Sequence, residues 1–187
     1  QKISSTLARN SLRDGKIKHL PPIVEKFIKK WGLYGTHSQK TSYVVTSFIM
    51  KNGKVLLLKR SNLVGSGQGL WAGVSGYLEI PEYLKPLNPP QNVYRRFARK
   101  QAVEEIREEI SLQKNDIRFI RSGSPVRAFS KKQRITFVIF PFLFEKVTSK
   151  RIKLDWEHTE FKWISPEEFP RNGTVIKLYQ TFMKVYK

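Results

Sequence analysis

Four of the chain's fifteen acidic residues fall within six positions, in the run Ala102-Val103-Glu104-Glu105-Ile106-Arg107-Glu108-Glu109-Ile110. At helical spacing, Ala102, Val103, Ile106 and Ile110 line one stripe, while Glu105, Glu108 and Glu109 gather on another face, one turn apart. That pattern asks for a helix with its apolar stripe on a core and three carboxylates held together. Three carboxylates repel one another unless a cation stands among them. A hard divalent ion such as Mg²⁺, which takes oxygen ligands, would relieve the repulsion. So would a Lys or Arg from elsewhere, and the chain has 35 of these against 15 Asp and Glu, a net charge of +20 over 187 residues.

The body that carries this helix is readable from turn and strand signals. Tyr43 to Met50 is rich in β-branched and aromatic residues, Asn52-Gly53 follows, and Lys54 to Lys59 continues with Val55, Leu56, Leu57 and Leu58. Strand, Asn-Gly, strand predicts a tight hairpin, because both turn residues tolerate positive φ. A glycine-rich stretch, 65–76, leads into Tyr77-Leu78-Glu79. Pro86, Pro89 and Pro90 break the chain before a helix from about Asn92 to Ile110. Strands are expected at Asp116–Arg121, Arg134–Phe144 and Glu160–Ile164. A last helix is expected from about Thr174, with Val175, Leu178, Tyr179, Phe182 and Tyr186 on one face. Pro21-Pro22 opens a short helix ending near Gly32, with Ile23, Val24, Phe27, Ile28 and Trp31 on its apolar side. The domain division expected is a basic arm and docking helix over 1–41 and a body over 42–187. With no regular βαβ alternation, the class is α+β. The chain has no cysteine, which excludes a disulfide scaffold, thiolate zinc sites and cysteine nucleophiles. It has no apolar run near the roughly 20 residues a membrane-spanning helix needs.

The stretch from Gly76 through Leu112 resembles the signature of the Nudix hydrolase superfamily: Gly, five residues, Glu, then Arg-Glu-aliphatic-x-Glu-Glu-x-Gly-aliphatic. Gly76 and Glu82 match its first half, and Glu105, Ile106, Glu108, Glu109 and Leu112 its second. Downstream, Asp155 through Glu168 is similar to the late strand and following helix of that fold. Gly69–Gly76 together with Leu154–Glu160 is similar to a subgroup met in archaea and some eukaryotes. The resemblance implies a mixed β-sheet sandwiched between helices, here with a basic N-terminal extension. It also implies Mg²⁺ held by Glu105, Glu108 and Glu109, with Glu82, Glu157 or Glu160 as a further ligand or base. The implied reaction is hydrolysis of a nucleoside diphosphate linked to another moiety. Three positions depart from the signature. Glu104 stands where the family has an Arg that holds a metal-binding Glu. Its like-charge neighbour Glu108 costs roughly 0.3 kcal/mol unless neutralised, and Lys100, one turn earlier, is the expected neutraliser. Ser111 replaces the Gly that ends the helix in a left-handed conformation. Finally, 21 residues separate Glu82 from Glu104, where the signature has seven.

The excess charge is uneven. Residues 1–40 carry nine Lys and Arg against Asp14 and Glu25, and residues 83–103 carry Lys85, Arg95, Arg96, Arg99 and Lys100 with no acid. Lys131-Lys132-Gln133-Arg134 adds a further cluster. Cations that neutralise phosphates release counterions, so RNA is the partner these residues suit, gripped through its backbone without reading sequence. Tyr94 and Phe97, interleaved with the arginines, suit an RNA backbone or splayed bases as well as core packing. Two readings follow. Charge ranks first an RNA-associated subunit of a ribonucleoprotein, such as a mitochondrial ribosome, contacting ribosomal RNA and neighbouring proteins with hydrolase activity lost. The alternative is a Mg²⁺-dependent Nudix hydrolase acting on a nucleoside diphosphate-linked substrate or an RNA 5′ end. An Arg- and Ser-containing, acid-poor start suits either a processed organelle-targeting segment, hence a mitochondrial location, or an ordinary basic tail of a cytoplasmic protein.

Overall fold

The computed structural model describes residues 40–78, 91–131 and 133–186. The expected helix at 21–32 and nearly all of the expected arm lie outside these residues, as do Glu82, Lys85, Lys132 and the side chain of Tyr94.

Eight strands form one sheet. They are β1 (Lys40–Lys51), β2 (Lys54–Arg60), β3 (Trp71–Ala72), β4 (Val74–Tyr77), β5 (Ile117–Ser122), β6 (Val126–Ser130), β7 (Ile135–Lys146) and β8 (His158–Ile164). Helix α1 (Gln91–Ile110) stands between β4 and β5, and α2 (Leu178–Tyr186) ends the described chain. The path across the sheet runs β3-β2-β1-β7-β5, with β4 on β1, β6 on β7 and β8 on β2. The two 12-residue strands act as spines. β1 pairs its later end with β2 and its earlier half with β4. β7 pairs its first half with β6 and its second with β5. Asn52 and Gly53 turn between β1 and β2 at φ 49° and 74°, the left-handed pair the hairpin requires.

Period-two alternation sends side chains to two cores. Leu56 and Leu58 of β2 meet Ala98, Ala102, Ile106 and Ile110 of α1, together with Val45, Ile49, Phe140 and Phe144. Val55 and Leu57 point the other way, to Phe48, Leu143, Phe169 and the α2 residues Leu178, Phe182 and Val185. A strand covered on both faces has no polar alternation, which is why 55–58 reads as an unbroken apolar run. Each Ile or Phe buried here contributes about 2–3 kcal/mol of transfer free energy. The expected α+β sandwich is thus the one observed, with the stripe on α1 extended back to Ala98, while Val103 is only half-buried.

Three local expectations are corrected. The last helix begins at Leu178 rather than near Thr174. The backbone of 173–175 is instead committed to Trp71, whose N–H donates to Gly173 O and whose carbonyl accepts from Val175 N–H. Lys177, at φ 60°, then separates that segment from the helix. The short strands β3 and β4 emerge from the glycine-rich stretch, and β6 from a segment with no expected element. Their order comes from pairing with β2, β1 and β7 rather than from their own composition.

Candidate active site

The glutamates of α1 reach the sheet through β4, and glycine permits it. A methyl group at Gly76 would stand 1.9 Å from both Cδ and Oε1 of Glu105, so the carboxylate lies directly on the strand backbone. Gln101, one turn back, donates through Nε2 to Glu105 Oε1 at 2.6 Å. Burial pushes the Glu105 carboxyl up from its ordinary value; the Gln101 hydrogen bond opposes this, and the charges of Glu108, Glu157 and Asp155 add to it.

Glu109 points deeper and is 3% exposed. Its Oε1 accepts from the backbone N–H of Ser75 at 3.1 Å. Its Oε2 lies 3.6 Å from Nε2 of His158, and neither of these two inaccessible atoms has a hydrogen-bond partner. Burial holds the Glu109 carboxyl well above its ordinary range. The Ser75 N–H opposes that, and repulsion from Glu105, Asp155 and Glu157 reinforces it. His158 opens β8 and is buried; its Nδ1 sits 3.0 Å from Asp155 Oδ1. Burial lowers its pKa against the opposing Asp155 contact.

Glu104 is neutralised by Arg107, not by Lys100. Arg107 Nε donates to Glu104 Oε2 at 3.0 Å and its Nη2 to Glu108 Oε1 at 3.1 Å. Both partners are solvent-exposed, so each pair contributes at most about 1 kcal/mol. Ser111 ends the helix at φ 59°, in the left-handed conformation expected of the position, although it is not glycine.

Glu105, Glu108 and Glu157 line one cavity of about 710 Å³, with Arg60, Tyr77 and Gln133 elsewhere on its wall. Arg60 spends its Nε on the carbonyl of Ser66, which pins the glycine-rich loop over that wall. Glu160 is not on the cavity: it pairs with Lys59 at 3.2 Å on the exposed side of β8. Of the expected base candidates in β8 and the segment before it, the structure therefore brings Glu157 to the site and leaves Glu160 out. Among the described residues, no three His, Asp or Glu side chains are placed to hold a metal ion as they stand.

The expected RNA-contacting residues divide into two groups. Arg95, Arg96, Arg99 and Lys100 are exposed on the front half of α1, where Arg99 lays its guanidinium 3.9 Å from the ring centroid of Phe119. Lys131 and Arg134 are exposed in the β6–β7 turn, whose Ser130 and Gln133 line the acidic cavity. Sequence reading did not single out Ser75, Gln101, Arg60 or the pair Asp155 and His158. The available signal for the last two was their i, i+3 spacing directly before a strand.

No protein-family model matches the sequence, and no curated protein does. Solved structures do match the fold. A MutT Nudix hydrolase from Burkholderia pseudomallei aligns with TM-score 0.55 at 18% identity, over 79% of this chain and 99% of the other. A Nudix hydrolase from Nitrosomonas europaea aligns with TM-score 0.53 at 18% identity, over 78% and 88%. The E. coli ORF135 protein aligns with TM-score 0.51 at 24% identity, over 78% and 91%. The chain has the fold of the Nudix hydrolase superfamily.

Proposed function

We propose that this chain is a divalent-cation-dependent hydrolase that cleaves a phosphoanhydride in a nucleotide-derived substrate. The observation that carries the reading is the convergence of Glu105, Glu108 and Glu157 on one cavity, with Glu109 buried behind them. Burial and neighbouring carboxylates raise Glu105 and Glu109, and a cation among them would favour their ionised forms. The donor set suits a hard ion such as Mg²⁺, because every candidate ligand is a carboxylate oxygen. Glu105, Glu108 and Glu109 would hold the ion. When bound, it supplies charge neutralisation on the diphosphate and a lowered pKa for an attacking water. Arg60, on the cavity wall, would bind a substrate phosphate. Glu157 is the carboxylate positioned to take a proton from water. Exposed Tyr77 offers an aromatic face for a base or sugar.

The test is Mg²⁺-dependent release of product from a nucleoside triphosphate, a nucleoside diphosphate sugar and 5′-triphosphorylated RNA, by the wild-type protein and by Glu108→Gln. Glu108 makes only an exposed pair with Arg107, so the variant keeps its fold. Wild-type turnover lost in Glu108→Gln supports the reading. Turnover unchanged in the variant, or none on any substrate, overturns it.

A second reading, association with RNA as a ribonucleoprotein subunit, is favoured by the exposed row Arg95, Arg96, Arg99 and Lys100. Four cations in six residues of one helix would neutralise several phosphates, making association steeply salt-dependent. Reversing Arg95, Arg96 and Arg99 to Glu should abolish co-sedimentation with RNA at moderate salt. Undiminished co-sedimentation would remove α1 as the contact.

A further inference from the structure

The carboxylate of Glu109 is gripped at one oxygen and faced at the other. Oε1 takes the Ser75 N–H, and Oε2 lies 3.6 Å from His158 Nε2, with no hydrogen-bond partner among the described residues. The His158 ring is held from its far side, where Nδ1 meets Asp155 Oδ1 at 3.0 Å. The segment bearing both residues is itself tied to the end of α1. Asp155 N–H donates to the carbonyl of Glu109 at 3.1 Å, and Lys153 N–H to that of Ile110 at 3.3 Å. Main chain and side chain thus run from the Glu109 carbonyl through Asp155 and His158 to within 3.6 Å of the Glu109 carboxylate. A closure of about 0.7 Å would bring the 3.6 Å approach to hydrogen-bond distance, the proton being carried by the Glu109 carboxyl or by a protonated ring, since Nδ1 already donates to Asp155. Position 104, by contrast, carries a Glu, and Arg107 is occupied with Glu104 and Glu108 on the exposed face.

We propose that His158 is a positioning residue: braced by Asp155, it fixes the second oxygen of Glu109 from the sheet side and so sets where that carboxylate stands. The grip on Glu109 comes from the start of β8 rather than from an arginine on α1. Its consequence for the cation rests on the hydrolase reading above; the positioning itself does not.

Glutamine and asparagine at 158 separate this role from packing. A Gln amide reaches the place of Nε2 and can either donate to or accept from Glu109. An Asn amide reaches the place of Nδ1, keeping a partner for Asp155 but leaving Glu109 Oε2 without one. The first readout is amide hydrogen exchange in the cation-free protein, taking Ser75 relative to its neighbour Gly76 in β4. A general loosening of β4 accelerates both amides; release of Glu109 accelerates Ser75 alone. His158→Asn should speed Ser75 at least about tenfold relative to Gly76, with His158→Gln within about twofold of wild type. The second readout is Mn²⁺ affinity by electron paramagnetic resonance, expected to fall about tenfold in His158→Asn and to be retained in His158→Gln, as for other outer partners of metal-holding groups. Equal behaviour of the Asn and Gln variants in the exchange readout overturns the proposal. Should His158→Asn fail to fold, Asp155→Asn weakens the brace without touching the ring, and an unchanged Ser75 ratio there overturns it as well. Absence of Mn²⁺ binding in the wild type would sink the hydrolase reading while the exchange ratio still judges His158.

Discussion

Gly76→Ala isolates the contact on which the candidate site depends. The new methyl would stand 1.9 Å from Glu105 Cδ and Oε1 and 2.4 Å from Oε2, where ordinary contact begins near 3.4 Å. The carboxylate must therefore retreat by about 1.5 Å. It is the far end of a flexible side chain, so Glu105 yields rather than the strand. Gly76 is not among the positive-φ glycines, and alanine is compatible with its backbone. The stability terms nearly cancel: a stiffer unfolded chain contributes about 0.4–1 kcal/mol, and loss of the Gln101 hydrogen bond costs about 1 kcal/mol. For a chain of this size the Tm should move by no more than about 4 °C. Activity is different, because a misplacement of about 1 Å in a catalytic constellation can cost on the order of 100-fold. Mg²⁺-dependent turnover and Mn²⁺ affinity should both collapse in a protein that still melts normally. Adding Glu105→Asp to Gly76→Ala draws the carboxylate back by about one methylene and should restore part of the affinity, although Glu105→Asp alone weakens it. Wild-type turnover and Mn²⁺ binding in Gly76→Ala would refute the reasoning. So would a Tm loss well beyond 4 °C, which would mean that the strand, not the side chain, gives way.

Burial raises the Glu109 carboxyl, so its ionised form opposes folding once the pH passes the unfolded value near 4.5. Without divalent cation, Glu109→Gln should melt higher than wild type at pH 8, and the difference should vanish near pH 4; thermal melts with a chelator present check this. Asp116 behaves oppositely: the Gln113 N–H, the Thr148 hydroxyl and Lys150 hold its carboxyl down at about 2, against an ordinary 3.8. Its contribution is present above pH 3.8 and is lost as pH falls toward 2. The urea midpoint of Asp116→Asn should lie below wild type at pH 7 and converge with it near pH 2. Ser111→Gly relieves a left-handed serine at φ 59°, a conformation costing about 1–2 kcal/mol, partly offset by about 0.5–1 kcal/mol of glycine entropy. A Tm rise of about 1–4 °C is expected, and a fall would mean that the Ser111 side chain has a stabilising role.

What the sequence made legible was whatever depends on local geometry. Asn52-Gly53 defines its turn because positive φ is a property of those two residues. The α1 stripe is legible because 3.6-residue periodicity brings Ala98, Ala102, Ile106 and Ile110 to one side. The glutamates stood out because acids so concentrated in a basic chain need a reason. β3, β4 and β6 were not legible, since two to five residues carry no usable period; β4 moreover finds its partner β1 about thirty residues back, although β6 pairs with β7, the next strand. Thr174 and Val175 read as helix from their side chains, yet Trp71, about a hundred residues earlier, holds their backbone in a different conformation.

The same limit shaped the site. Glu105, Glu108 and Glu109 were read as one face, and two of them do share the cavity. The third is turned inward by Ser75, 34 residues before it, and faces His158, 49 residues after it. No helical wheel contains those partners. Nothing local to His158 marks its role: its companion is a carboxylate three residues away rather than a second histidine at metal-ligand spacing. Charge is limited in a related way. A net +20 is a property of the whole chain, whereas the cavity wall carries Glu105, Glu108 and Glu157, with Arg60 as the only cation among its described lining residues.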